Sequence, residues 1–381
     1  MNTNHVQTKI HDPKKSSWKQ AYLLPKTLQE LQLKRPGNYS LEERNANYSS
    51  GLPDYAQALL SGWFAHRNVE PIAAFACSKR IENLYNLCSL NDSLITTTFH
   101  SIHPVEEGND VKPAVQITTD GIWLSGKQTF ASDALYADEL LVFVQEKDET
   151  KPSTVVLIPT NSPDLRLPLE AAAYANVTVS YDRLFVPWER VISLQNQSEV
   201  DLLLGHPELK SLADYQWVSR QADLIELVTA TAVALAEKTG RHKELHIQGL
   251  LGELLQNLDT IKAFIHAAEI NAYFSQEGIC LPSAVPLGAA KKAGGTFYKA
   301  AAEALLRIGN GDIDFEAHSA DEPLRHLVRT FAGSEEAVNR RQHEEFAFGD
   351  PIRLSTELYR VYPQEKLVNR YEAFWRERSE R

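Results

Sequence analysis

The chain has 381 residues, enough for two or three packed units around a large core. Lys and Arg number 39 against 50 Asp and Glu, a net charge of −11, which argues against non-specific nucleic-acid or anionic-membrane binding because both need a positive field. Hydrophobic residues at 43% and charged residues at 23% are globular proportions, and the three separated cysteines (Cys77, Cys88, Cys280) suit a reducing cytosol better than a disulfide framework.

Residues 1–17 are polar, carry Lys9, Lys14 and Lys15, and lack the apolar stretch of a secretory signal, so a flexible tail is expected. No window of about 18 apolar residues exists, so no transmembrane helix is expected, and the location is read as cytoplasmic. Residues 18–91 read as a helical domain. Leu28, Leu31 and Leu33 precede the turn signal Pro36-Gly37. Ser40 and Glu43 form a capping box that starts a helix carrying Arg44 to Asn47 and ending at Gly51. Asp54 is expected to cap the next helix, with Ala58, Leu59 and Phe64 on its apolar face.

Residues 92–200 change period. Val111–Thr118, Gly121–Gln128, Leu140–Gln145, Thr154–Pro159 and Asn176–Pro187 are short runs of β-branched and aromatic residues between polar turns, which predicts a central antiparallel β domain. Residues 201–381 return to helical spacing. Helices are expected over Trp217–Thr239 with Gly240 just past the end, Leu245–Tyr273, Thr296–Ile308 and Glu322–Ala347. Four long helices with short connections predict a four-helix bundle. The fold class is therefore α+β, mostly α: N-terminal helices, a β domain, then a bundle.

Self-contained chemical motifs are missing. There is no nucleotide-binding glycine fingerprint, no phosphate-binding loop, no nucleophile elbow and no zinc spacing. His242 and His246 are four apart but lack a carboxylate partner, so they read as a solvated pair, and no metal site is assigned. His100 and His103 sit where the helical region meets the β domain, a junction of the kind sites favour.

Several segments in order resemble the 4-hydroxyphenylacetate 3-hydroxylase family, the oxygenase components of two-component flavin monooxygenases, which share the acyl-CoA dehydrogenase fold. The most specific is Tyr181-Asp-Arg-Leu-Phe-Val-Pro-Trp-Glu-Arg-Val191. Others are Asp120-Gly-Ile-Trp-Leu-Ser-Gly-Lys-Gln-Thr-Phe-Ala131, His246-Ile-Gln-Gly-Leu-Leu-Gly-Glu-Leu-Leu-Gln-Asn-Leu258, Leu281–Ala290 and Phe348–Pro351. The resemblance implies hydroxylation of a phenol or small aromatic metabolite through a flavin C4a-hydroperoxide. It also implies FAD, taken up as FADH2 from a separate flavin reductase, together with O2, and a homo-oligomeric assembly, tetramer or dimer.

It further implies site residues. Arg44 and Tyr48 take the family's substrate-binding positions, and His100 takes its histidine. An Arg or His at the phenol oxygen favours the nucleophilic phenolate, and a Tyr can hydrogen-bond the same oxygen. On the flavin side the matched positions are Thr129 and Ser132, with Trp188 as a shield over the ring. The family's glycine-rich "GSEFGGR" is replaced by Gly333-Ser-Glu-Glu-Ala-Val-Asn339, leaving Arg340 and Arg341 to supply positive charge. Two alternatives stand beside this reading: an acyl-CoA dehydrogenase-like flavoenzyme, for which Glu277 is the candidate base, and a non-catalytic relative of the fold.

Overall fold

A computed structural model describes residues 19–35, 54–70, 72–75, 77–97, 113–146, 152–169, 176–309, 322–348 and 351–379. The expected N-terminal tail, the Ser40 capping box and its helix, and His100 and His103 lie outside these residues. The N-terminal helices are α1 (Lys19–Tyr22), α2 (Leu28–Leu33), α3 (Tyr55–Ala65) and α4 (Cys77–Leu90). Ala58 and Leu59 are buried as expected, but so is nearly every other residue of α3, since its side chains are small or apolar all round. Asp54 stands at the N-cap of α3 but makes no capping bond; its carboxylate accepts from Gln216 Nε2 instead. A tertiary partner has displaced the local one.

The β region contains two four-stranded sheets. β2 (Ala114–Ile117), β3 (Gly121–Ala131), β6 (Leu165–Arg166) and β7 (Asn176–Pro187) form an antiparallel sheet in the order β2-β3-β7-β6. A bulge lies between Leu124 and Gly126, where Gly126 has φ 131°, a value that side-chain-bearing residues rarely adopt. β1 (Ile95–Thr97), β4 (Glu139–Val144), β5 (Thr154–Pro159) and β8 (Val191–Ser193) form the second sheet in the order β1-β4-β5-β8. The expectation of one antiparallel sheet is corrected here, because β1 runs parallel to β4. The long connection from β1 to β4, through the β2–β3 hairpin, permits a parallel pairing that a tight turn cannot make. Every residue of β4 is buried, which explains its continuous apolar run, Leu140 to Val144.

The C-terminal region holds α5 (Gln197–Gly205), α6 (Ser211–Lys238), α7 (Leu245–Ile270), α8 (Ala284–Ile308), α9 (Glu322–Ala332), α10 (Glu335–Phe346), α11 (Pro351–Val361) and α12 (Glu365–Ser379). Helices α6, α7 and α8 pack on one another, and α9 with α10 covers α6 and α8 as the fourth member of the bundle. Gly240 adopts φ 72° just past α6, as its position suggested. α7 stops at Ile270, and Tyr273 instead joins the two-stranded ribbon β9 (Tyr273–Phe274) and β10 (Cys280–Leu281).

The expected Glu322–Ala347 helix is two helices, broken at Gly333, with Ser334 capping the second by accepting from Ala337 N at 3.1 Å. α8 begins twelve residues before the expected Thr296. Pro286 falls in its first turn, where the missing N–H is not needed. Gly294 and Gly295 are packing residues rather than breakers. A Cβ on Gly295 would lie 2.8 Å from the Glu344 carbonyl oxygen, and one on Gly294 would meet the Gln221 side chain at 2.1 Å. The two glycines let α8 approach both α10 and α6.

Candidate active site

The first three turns of α6, Ser211 to Ala222, are buried without a break, yet they carry Asp214, Gln216, Arg220 and Gln221. Buried polar groups must find partners, and here they come from other helices. Asp214 Oδ1 accepts from Lys291 Nζ at 2.8 Å and from the Tyr55 hydroxyl at 3.2 Å. Lys291 Nζ also lies 3.9 Å from the centre of the Phe348 ring. Arg220 donates to both carboxylate oxygens of Glu344, at 2.7 and 2.9 Å, and Gln221 adds a third bond to that carboxylate at 3.0 Å. The Trp217 ring packs edge-on against Phe348 at 4.7 Å and lies under the Arg220 guanidinium at 4.4 Å.

Burial sets the electrostatics of this cluster. Desolvation pushes the Asp54 carboxyl up to about 6, against the opposing charges of Arg220 and Lys34. Desolvation brings Lys34 down to about 7, although its ammonium donates to the carbonyls of Gln20, Ala21 and Leu23. Lys291 is likewise lowered by burial, partly offset by Asp214.

Arg44 and Tyr48 lie outside the described residues. The chain on both sides of their segment is fixed to α6 and α7. Arg35 pairs with Glu269 of α7, whose carboxylate also accepts from Tyr215 at 2.6 Å. Gln216 Nε2 donates to the Lys34 carbonyl oxygen at 3.0 Å and also to Asp54, while Tyr55 is held by Asp214. One turn of α6, Asp214 to Gln216, therefore grips the chain before and after residues 36–53. His100 also lies outside the described residues; the strand before it, β1, ends at Thr97, which donates to the Leu141 carbonyl oxygen at 2.9 Å.

The flavin-side candidates fall in three places. Thr129, half-buried on β3, and Ser132, buried in the turn that follows, have hydroxyls without a hydrogen bond among the described residues. That turn is tied to β1, where Asp133 Oδ2 accepts from Thr96 at 2.7 Å, and burial pushes the Asp133 carboxyl up to about 6. Trp188 is half-buried at the opposite end of β3, its Nε1 donating to the Thr119 carbonyl oxygen at 2.8 Å. Pro187 pairs with Gly121, so the eight residues to Thr129 put Trp188 about 27 Å along the strand from the two hydroxyls. Trp188 and the hydroxyls do not form one cluster. On α10, Arg340 is buried, bonded to Glu336 at 2.9 Å and over the Phe331 ring at 5.1 Å. Arg341 is half-buried and makes no ion pair among the described residues.

Glu277 is tied at the surface to Arg67 at 2.7 Å and to Asn68, which suits a structural link and not a base over a flavin. His246 is exposed, beside Glu244 and Arg241. Sequence reasoning missed Tyr55, Asp214, Gln216, Arg220 and Lys291. For Asp214, Arg220 and Lys291 the one signal was charge placed at core positions of apolar helical segments.

Helices, a β region and a bundle in this order define the acyl-CoA dehydrogenase-like fold. The chain superposes on butyryl-CoA dehydrogenase of Megasphaera elsdenii with a TM-score of 0.54 at 14% identity, covering 84% of this chain and 80% of that one. The crystal structure of the oxygenase component of 4-hydroxyphenylacetate 3-monooxygenase fits better, with a TM-score of 0.78 at 22% identity over 95% of this chain and 85% of that one. The chain is 25% identical to the probable 4-hydroxyphenylacetate 3-monooxygenase of Bacillus subtilis, over 93% of this chain and 83% of that protein. It is 24% identical to the 4-hydroxyphenylacetate 3-monooxygenase oxygenase component of Thermus thermophilus, over 94% and 84%. Residues 208–313 match the family described as 4-hydroxyphenylacetate 3-hydroxylase C terminal. The chain thus resembles the 4-hydroxyphenylacetate 3-hydroxylase oxygenases in sequence and in fold along most of its length.

Proposed function

We propose that this chain is the oxygenase of a two-component monooxygenase that hydroxylates a phenol, with FAD received in its reduced form and O2 as the oxidant. The observation that carries the reading is the extent of the likeness to proteins named as such oxygenases, 93% of this chain in sequence and 95% in structure. A further structure matched at a TM-score of 0.75 and 22% identity is that oxygenase component complexed with FAD and 4-hydroxyphenylacetate.

Three described residues support the flavin part of the reading. Thr129 and Ser132 offer unengaged hydroxyls to polar atoms of the ring, and Arg341 offers unpaired charge for a diphosphate, whereas Arg340 is taken up by packing within the bundle. When bound, reduced FAD supplies two electrons, so that one oxygen atom of O2 enters the ring carbon beside the phenol oxygen and the other leaves as water. His100 takes the phenol proton, Arg44 stabilises the phenolate, and Tyr48 hydrogen-bonds the same oxygen, which raises the electron density at the attacked carbon. The oxygenase works with a separate flavin reductase and self-associates into a homo-oligomer.

The test is an anaerobic titration with reduced FAD, followed by O2 and 4-hydroxyphenylacetate, with dihydroxylated product measured. Reduced FAD should bind and product should form, and Arg44→Ala and His100→Ala should each lower product at least tenfold. Failure to bind either redox state of FAD refutes the reading in favour of a non-catalytic relative. Tight binding of oxidised FAD without product favours a dehydrogenase-like enzyme.

A further inference from the structure

A cavity of about 110 Å³ opens between the N-terminal turns of α6 and α8 and the outer helix α11. Its walls bring three cations, Lys210, Lys291 and Arg360, to two carboxylates, Asp214 and Glu357. Both carboxylates are already engaged. Asp214 Oδ1 holds Lys291 and Tyr55, and Glu357 Oε1 accepts from Arg353 at 3.0 Å. Lys210 is the contrast. Its side chain is only 11% exposed, and its ammonium stands 3.9 Å from Glu357 Oε2, within ion-pair range but too far for a hydrogen bond. Arg360, at the exposed mouth, has no ion pair among the described residues.

We propose that this cavity is a second ligand site, which takes the carboxylate of a small organic acid between Lys210 and Arg360. The Lys210 ammonium holds Glu357 only at ion-pair distance, and an incoming carboxylate would supply an acceptor within hydrogen-bond range. The same anion relieves the repulsion between Lys210 and Lys291, which acts with burial to disfavour the charged form of Lys291. The body of the acid rests on Leu354, Leu358 and Pro207. The enclosed volume suits one ring or a short chain. Bound there, the acid ties α11 to α6 and α8. Its anion-binding pair, Lys210 and Arg360, has no part in the monooxygenase reading, although Asp214 and Lys291 in its wall belong to the buried cluster described above.

The experiment is calorimetric titration of the full chain with sodium phenylacetate at constant ionic strength. Parallel titrations use 2-phenylethanol, which keeps the ring and loses the charge, and inorganic phosphate. The acid should bind and raise the melting temperature of the unmodified protein, and the alcohol should do neither. Lys210→Met and Arg360→Met should each weaken binding at least tenfold, while Arg44→Ala, which removes the proposed substrate arginine, should leave this binding intact. Unchanged affinity in the Lys210→Met/Arg360→Met double variant overturns the proposal. So does loss of binding in Arg44→Ala, equal binding of the alcohol or of phosphate, or no heat from the acid up to about 10 mM. Melting curves of the variants establish that they are folded, and the comparison of acid with alcohol on the unmodified protein needs no variant.

Discussion

Replacing Arg220 by Met should be among the most damaging single changes in the bundle. Its side chain is 1% exposed and that of Glu344 0%, so neither charge can turn to water when the other is removed. Glu344 would keep only the Gln221 bond at 3.0 Å, and Asp54, whose carboxyl Arg220 holds down, would rise further. Breaking a buried pair by deleting one partner costs about 3–5 kcal/mol, roughly a fifth or more of the about 5–15 kcal/mol that stabilises an ordinary domain. Glu344→Met should cost a similar amount, because it strands the guanidinium. Removing both charges strands neither, so the double variant Arg220→Met/Glu344→Met should lose less than either single variant. Urea unfolding of the four proteins at pH 7 gives the coupling energy directly. Single losses below about 1 kcal/mol, or a double loss equal to the sum of the singles, would refute the reasoning.

Two glycine substitutions should move in opposite directions. Gly295→Ala sets a methyl 2.8 Å from the Glu344 carbonyl oxygen and 3.1 Å from Glu345 Cα, both backbone atoms, and should cost about 1–3 kcal/mol by thermal or urea unfolding. Gly252→Ala meets nothing within 4 Å on α7 and should stabilise by about 0.5–1 kcal/mol. For Asp54 the folded-state carboxyl is raised from 3.8 to about 6, so its contribution is fully present below about pH 4 and is lost as pH rises to about 6. Asp54→Asn should remove that decline, with a ceiling of about 3 kcal/mol, read as the change between pH 4 and pH 7 in the stability difference from the unmodified protein. A difference that does not vary with pH would count against the buried-carboxyl reading.

The order of helices, strands and bundle was legible in the chain because hydrophobic period is a local property. The shift to β-branched runs after residue 92 and the return to helical spacing after residue 201 needed no tertiary knowledge. Sequence reading failed where a distant partner outweighed the local rule. Asp54 looked like a helix cap, but Gln216 takes its carboxylate. Thr296 looked like a helix start, but α8 runs through Gly294 and Gly295, which make its closest contacts with α6 and α10. Glu322–Ala347 looked continuous, but a serine cap divides it. The parallel β1–β4 pairing had no local signature at all.

The candidate site divides in the same way. Arg44, Tyr48, His100, Thr129 and Ser132 came from short motifs, which a sequence preserves whole. The buried cluster of Asp214, Lys291, Tyr55, Arg220 and Glu344 could not come that way, since its members lie as far as 289 residues apart, from Tyr55 to Glu344. A charged side chain in an apolar helix reads as an anomaly until its partner is known. Packing of α3, α6, α8 and α10 supplies that partner, because desolvation leaves a buried charge no alternative to water except another charge or hydrogen bond. The chain alone showed the order of its elements and its likeness to known oxygenases, while the three-dimensional packing decided which of its polar residues are buried together.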